Sequence, residues 1–186
     1  MIRLTGGDRK GMSLHAPRGR QTRPATAQVR QWIFDVLGPP RGLDVLDLFA
    51  GTGSVGLEAL SRGAERVTFV EPWRPAMDAL LRNLAKTGFT DRSEVLTMDA
   101  ARAAASLRDQ DRTFHLCFCD PPYAWEGLEA LLSESVLDLL TAEGTLVVEH
   151  RGDPPLAPRG RPPEREKEFG DTVLSLWYGR GAGKEK

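Results

Sequence analysis

From residue 43 onward the chain alternates apolar runs with amphipathic stretches, and the first of those runs ends in a glycine loop. Leu43-Asp44-Val45-Leu46-Asp47-Leu48-Phe49 reads as a buried strand, passing through Ala50-Gly51-Thr52-Gly53 into a helix that continues to about Arg62, with Val55, Ala59 and Leu60 inward. Arg66–Glu71 is a second strand. Arg74–Thr87 follows as a helix, with Met77, Leu80, Leu81 and Leu84 on one face and Gly88 at its end. The pattern repeats as a strand over Glu94–Met98, an alanine-rich helix over Ala100–Leu107, a strand over Phe114–Cys119, a helix over Glu126–Leu140 and a strand over Thr145–Glu149. Such alternation with short connections implies a parallel sheet covered on both faces. Residues 151–163 carry five prolines and three arginines and read as a loop. Thr172–Tyr178 is a last strand. No helix separates it from Glu164–Phe169, so the pair is expected to close the sheet as an antiparallel hairpin. The expectation is an α/β, Rossmann-like fold with a mostly parallel seven-stranded sheet and helices on both faces.

Ahead of this domain, Ile2–Thr5 and Met12–His15 read as short strands around the turn-rich Gly6–Gly11. Val29, Trp32, Ile33, Val36 and Leu37 recur at helical spacing within Pro24–Leu37, and Gly38-Pro39-Pro40 stops that helix. The expected organisation is an N-terminal extension over 1–40, an α/β domain over 41–178 and a disordered tail over 179–186. A length of 186 residues with 40% hydrophobic content suits one domain with an appendage. No apolar run reaches the ~18 residues of a membrane span, and the N-terminus has no apolar signal core. Cys117 and Cys119 are too few for a disulfide framework and read as strand packing. Cytoplasmic residence, no membrane partner, no bound metal and a monomeric state are the expectations.

The net charge of −1 conceals a division along the chain. Residues 1–30 carry +6, from Arg3, Arg9, Lys10, Arg18, Arg20, Arg23 and Arg30 against Asp8 alone; residues 31–150 carry −9 and residues 151–186 carry +2. A basic arm on an acidic body is expected to grip nucleic-acid phosphates through Arg9, Lys10, Arg18, Arg20, Arg23 and Arg30.

Gly51-Thr52-Gly53-Ser54-Val55-Gly56 is a G-x-G-x-x-G between strand and helix, and Glu71 follows Gly51 by twenty residues, where a carboxylate can bind two ribose hydroxyls. That geometry fits a dinucleotide or S-adenosylmethionine. Asp47 tips the choice: a carboxylate before the loop suits the cationic amino group of a methionine moiety and would repel a pyrophosphate at the helix N-terminus. The candidate cofactor-binding set is Asp47, Phe49, Ala50, Gly51, Thr52, Gly53, Glu71, Asp99 and Ala100, with Asp99 placed to accept from an adenine amine or to cap the next helix.

The fourth strand ends in Asp120-Pro121-Pro122-Tyr123, the candidate catalytic set. Prolines fix the backbone and remove donors, leaving carbonyls that only accept. An exocyclic amine on a base is a poor nucleophile because its lone pair is delocalised into the ring. Asp120 and the Pro121 carbonyl can each accept one of its N–H groups, favouring a tetrahedral nitrogen, while Tyr123 stacks on the base. His15, His115 and His150 form no ligand cluster, and no Ser/His/Asp grouping is evident.

Asp47–Gly53, Glu71, Asp99 and Asp120–Tyr123, in this order, resemble a class I S-adenosylmethionine-dependent methyltransferase acting on an amino nitrogen. Ile2-Arg3-Leu4-Thr5-Gly6-Gly7, Arg9-Lys10-Gly11, Thr22–Arg30 and Leu57–Ala64 narrow this to a resemblance to the RsmD-type enzymes, covering roughly residues 2–150. Where the family often has Thr after its Arg-Pro pair, this chain has Ala25 followed by Thr26. The resemblance implies methylation of guanine N2 in bacterial 16S ribosomal RNA (guanine 966 in the family's rRNA numbering), on a small-subunit particle with its proteins. Three rival readings stand beside it. They are an adenine-N6 methyltransferase, disfavoured by the lack of a sizeable target-recognition domain; a non-catalytic RNA-binding assembly factor; and a nicotinamide-dependent oxidoreductase.

Overall fold

The computed structural model describes residues 2–17, 25–122 and 125–180. Arg18, Arg20, Arg23, Tyr123 and 181–186 of the expected tail lie outside them. Two compact units divide the chain at Asp99/Ala100.

The first unit opens with a hairpin of β1 (Ile2–Arg3) and β2 (Ser13–Leu14), paired antiparallel with Ile2 opposite Leu14. Helix α1 (Ala27–Leu37) begins at Thr26, whose hydroxyl caps it by accepting from the Val29 N–H at 3.2 Å. Then come β3 (Asp44–Leu48), α2 (Ser54–Ser61), β4 (Arg66–Val70), α3 (Arg74–Thr87) and β5 (Ser93–Leu96), with β3, β4 and β5 paired in parallel. Val45, Leu46 and Leu48 are fully buried, as a strand covered on both faces requires.

Two helical faces differ from expectation. On α1 the buried residues are Val29, Arg30, Ile33 and Phe34, while Trp32, Val36 and Leu37 are only half-buried. The helix is rolled so that Arg30 enters the interior, a choice apolar spacing cannot register. On α3, Leu81 is exposed and Asn83 is fully buried. Residues 76, 77, 79, 80, 83, 84 and 87 make the inward stripe, and position 81 lies about 40° beyond its edge at Met77.

The second unit contains α4 (Ala100–Asp109), β6 (Phe114–Cys119), α5 (Leu128–Glu134), β7 (Leu140–His150), β8 (Arg165–Phe169) and β9 (Thr172–Tyr178). The helix expected over Glu126–Leu140 is instead α5 followed by a 3-10 turn over Val136–Leu139. Ser135 breaks it at φ −140°, and both Val136 and Leu139 turn into the core. Strand β7 therefore starts at Leu140, opposite Phe114, and its register shifts before Thr145 meets Leu116. Strands β7–β9 and β9–β8 pair antiparallel, as the C-terminal hairpin predicts. The strand order is β5-β4-β3 in the first unit and β6-β7-β9-β8 in the second.

The β8 edge is Arg-Glu-Lys-Glu-Phe, whose exposed charges blunt it against further strand pairing. Trp177 on β9 is fully buried and donates its indole N–H to the Arg161 carbonyl at 3.0 Å, fastening the proline-rich loop. Gly179, expected in the tail, is instead held: its N–H donates to the Gly144 carbonyl at 2.7 Å. Cys117 and Cys119 are buried, and burial pushes the Cys117 thiol well above its ordinary range. Among the described residues no helix is long and apolar enough to cross a membrane.

Candidate cofactor and amine-binding sites

In the first unit the chain leaves β3 through Phe49 at φ +65°, a left-handed conformation that is strained for an aromatic residue. Gly51 follows at φ +56°, and a Cβ there would meet nothing within 4 Å: the backbone faces open space that a ligand could fill. The other two glycines of the motif serve packing. A Cβ on Gly53 would lie 2.3 Å from Leu80, and one on Gly56 2.3 Å from Phe69, so each lets α2 settle against its neighbours.

Two carboxylates hold this loop. Asp47, 3% exposed at the end of β3, accepts the Gly56 N–H at 2.9 Å. Burial pushes its carboxyl up to about 7; the Gly56 N–H pulls the other way, and the charge of Glu71 adds to the rise. Glu71 accepts the Gly51 N–H on Oε2 at 2.8 Å and the Trp73 N–H on Oε1 at 2.7 Å. Burial raises its carboxyl above the usual range, and these two N–H groups offset part of that. Each oxygen keeps a lone pair for a further donor such as a hydroxyl. The Thr52 hydroxyl is buried and has no hydrogen-bond partner among the described residues, a state that a ligand or water would relieve. The open face at Gly51, this orphaned hydroxyl and two carboxylates fit a polar ligand that carries hydroxyls and a positive charge. The structure thus brings Asp47, Gly51, Thr52 and Glu71 of the expected set into one hydrogen-bonded loop. Asp99 lies exposed directly before α4.

The N-terminal hairpin is built onto the helices that carry this loop. A Cβ on Gly7 would fall 1.8 Å from the Ser61 carbonyl oxygen, so the hairpin turn lies flush on the end of α2. Glu58, fully buried on α2, accepts from the Thr5 N–H and hydroxyl at 2.8 Å each and from Arg62 Nε at 2.9 Å. Its Oε2 also stands 3.6 Å from Arg30 Nε. Asn83, on α3, accepts the His15 N–H at 2.7 Å and donates to the carbonyls of His15 and Thr52, each at 3.0 Å. One amide therefore ties the hairpin to the glycine loop. Sequence reasoning passed over both residues. The available signal was a charge at Glu58 inside Leu57-Glu58-Ala59-Leu60, in a helix whose every residue is buried, where a charge needs a partner.

Arg30 corrects an expectation. Proposed from sequence as a phosphate contact, it is 2% exposed and its guanidinium donates to the carbonyls of Ala25 and Arg3, beside Glu58. Its charge is held within the fold. Arg9 is half-buried, donates from Nε to the Thr87 carbonyl at 2.9 Å and lies over the Phe89 ring. Lys10 is exposed.

In the second unit, Asp120 is half-buried directly after β6, Pro121 is buried and Pro122 is exposed. The Pro122 carbonyl accepts the Trp125 N–H at 2.8 Å. Ala100 is buried as the first residue of α4. A serine–histidine pair that the sequence did not announce joins β7 and β9: Ser175 Oγ lies 2.8 Å from His150 Nε2 and donates to Glu166 at 2.6 Å. Ser175 is fully buried within the sheet, so no substrate reaches it and the group is structural.

The chain matches the family described as Conserved hypothetical protein 95 over residues 2–178. YlbH of Bacillus subtilis is 37% identical over 182 residues, which cover 94% of this chain and 89% of YlbH. Ribosomal RNA small subunit methyltransferase D of Escherichia coli is 31% identical, over 98% of this chain and 92% of that protein. Among solved structures, a hypothetical protein of Thermus thermophilus is similar with a TM-score of 0.82 at 30% identity, over 96% of this chain and 99% of that one.

Proposed function

Because the chain belongs to the Conserved hypothetical protein 95 family of RsmD-type methyltransferases, we propose that it methylates 16S ribosomal RNA of the bacterial small subunit, with S-adenosylmethionine as donor. The proposed acceptor is the exocyclic N2 of one guanine, position 966 in the family's rRNA numbering, reached by a cytoplasmic monomer on a small-subunit particle. The observation that carries this reading is full-length similarity to a ribosomal RNA small subunit methyltransferase. The Asp120-Pro121-Pro122 acceptor segment after β6 supports it.

When bound, S-adenosylmethionine supplies a methyl group activated by its sulfonium. Asp47 meets its ammonium group, directly or through water. Glu71 takes the ribose hydroxyls with the lone pairs its two N–H partners leave, and Asp99 the adenine amine; Phe49, Ala50, Gly51, Thr52, Gly53 and Ala100 shape the remainder. A guanine unstacked from the RNA is read by acceptors. The Asp120 carboxylate and the Pro121 carbonyl each accept one N–H of the 2-amino group, Pro122 keeps that turn stiff, and Tyr123 stacks on the ring. These contacts orient the nitrogen, so most of the rate advantage comes from positioning and exclusion of water. The basic arm meets phosphates through Arg9, Lys10, Arg18, Arg20 and Arg23.

The test is incubation of labelled S-adenosylmethionine with unmethylated small subunits, free 16S RNA and DNA, followed by mapping and mass analysis of the modified nucleoside. N2-methylguanosine at one position of the RNA is the expected product. N6-methyladenosine, or no transfer with any substrate, overturns the reading.

A further inference from the structure

We propose that a cavity beside the N-terminal hairpin is a subsite for a second, unstacked RNA nucleotide, its base resting on the Trp73 indole and its phosphate at Arg82. The inference rests on the ribosomal RNA reading above and deepens it. The cavity, of about 300 Å³, lies in the first unit between His15–Pro17 and the beginning of α3. Its α3 wall is Pro75, Asp78, Ala79 and Arg82, spaced i, i+3, i+4 and i+7 on one helix face. The volume sits at the lower end of small-ligand pockets, roughly 300–1,000 Å³, and matches one nucleotide better than a peptide segment.

Trp73 is the residue that calls for a function. It occupies the N-cap of α3, at φ −80° and ψ 111°, and makes no side-chain cap bond. Ser, Thr, Asp or Asn at that position would satisfy an orphaned N–H of the first turn. An indole there gives up that stabilisation and leaves a half-buried aromatic face lining a cavity. A local rule broken without local compensation marks a functional position. The residue also stands on a rigid base, because the Trp73 backbone N–H is held by Glu71 at 2.7 Å and Pro75 stiffens the next turn.

The remaining wall chemistry selects the ligand class. An aromatic plate with a cation along the same wall is how single-stranded RNA is read: the base stacks and the backbone meets the charge. The Asp78 carboxylate, paired on one side with Arg74 at 3.1 Å, offers an acceptor to a base N–H. In sequence, Arg18 follows directly on Pro17, and Arg20 and Arg23 come within six residues of it, so nucleotides next to those held by the arm come within reach of the cavity.

The experiment compares Trp73→Ala, Trp73→Phe and Arg82→Ala with the wild type. It measures affinity for free unmethylated 16S RNA across a salt series, affinity for S-adenosylmethionine by calorimetry, and quenching of tryptophan fluorescence by RNA. Trp73→Ala is expected to weaken RNA binding about 5- to 100-fold, with Trp73→Phe retaining most of it. Both should leave S-adenosylmethionine affinity unchanged. Arg82→Ala should flatten the salt slope by about 0.7, the share of one single-strand phosphate, and part of the RNA-induced quenching should vanish in Trp73→Phe. Unchanged RNA affinity in Trp73→Ala, with the wild type binding normally, overturns the subsite alone. Weakened S-adenosylmethionine binding with RNA affinity intact assigns the ring to the cofactor and also overturns it. If Trp73→Ala fails to fold, the quenching by Trp73→Phe and the slope of Arg82→Ala decide the matter. A wild-type chain that binds no RNA overturns the ribosomal RNA reading and the subsite together.

Discussion

Asp47 and Asp120 each stand at the end of a parallel strand, yet burial gives them different tasks. Asp120 is half-buried and reachable, as an acceptor for a substrate amine must be. Asp120→Ala should retain S-adenosylmethionine binding and lose at least ~10²-fold in turnover, the scale on which positioned proton acceptors act. Single-turnover methyl transfer with saturating donor checks this, and near-normal turnover would remove Asp120 from the chemistry. Asp47 is buried with its carboxyl raised to about 7 from an ordinary 3.8. The folded chain therefore holds that proton more tightly than the unfolded chain does. Asp47's contribution to stability is fully present below about pH 4 and is lost as pH rises to about 7. Denaturant titrations at pH 5 and pH 8 should show Asp47→Asn gaining on the wild type at the higher pH, by an amount on the order of 3 kcal/mol. An ammonium ligand reverses the preference, because it pairs with the ionised form. Binding of S-adenosylmethionine below pH 7 should then release a proton, seen as a buffer-dependent calorimetric heat that Asp47→Asn abolishes.

The hairpin of β1 and β2 has only four strand residues and could not stand in water alone. It persists because Glu58, Ser61 and Asn83, on two helices, accept and donate the bonds its backbone lacks. Asn83→Ala would leave the His15 N–H and the carbonyls of His15 and Thr52 without their buried partner. We expect a loss of about 2–4 kcal/mol in unfolding free energy, together with faster amide exchange at His15 and in the Thr52 loop. Exchange rising at neither place would show that the amide does not couple hairpin and loop. This coupling is also where sequence reasoning stopped. The βαβ alternation, the glycine loop, Glu71 and Asp120-Pro121-Pro122 are contiguous patterns, so periodicity and spacing exposed them. Glu58 to Thr5 and Asn83 to His15 span dozens of residues, and nothing local distinguishes a buried carboxylate or amide from a solvated one. The same blindness turned α1 the wrong way, because helical spacing treats Arg30 as polar and outward. It also ran one helix through Ser135, where Val136 and Leu139 are drawn inward and the backbone breaks.

Over the whole molecule, the +6 of the first thirty residues divides into two groups once the structure is known. Arg30 is an interior cation facing Glu58, while Lys10 is exposed and Arg18, Arg20 and Arg23 follow in sequence with no acid between them. The two groups should respond to different perturbations. Phosphate contacts release counterions, so RNA affinity falls with salt in proportion to their number, at about 0.7 in the logarithmic slope for each single-strand contact. Charge reversal of Arg18, Arg20 and Arg23 together should flatten that slope by about 2 and leave thermal stability within experimental scatter. Arg30→Gln should do the opposite: it removes one of the two cations beside the buried Glu58 and takes the guanidinium donors from the Ala25 and Arg3 carbonyls, costing about 1–3 kcal/mol of stability, with the salt slope of the remaining folded protein unchanged. Filter binding of 16S RNA between 50 and 200 mM salt (roughly the range over which such contacts register), with denaturant unfolding of the same variants, measures both quantities. If Arg30→Gln alters the slope while the triple reversal does not, the phosphate grip runs through the helix and not through the arm.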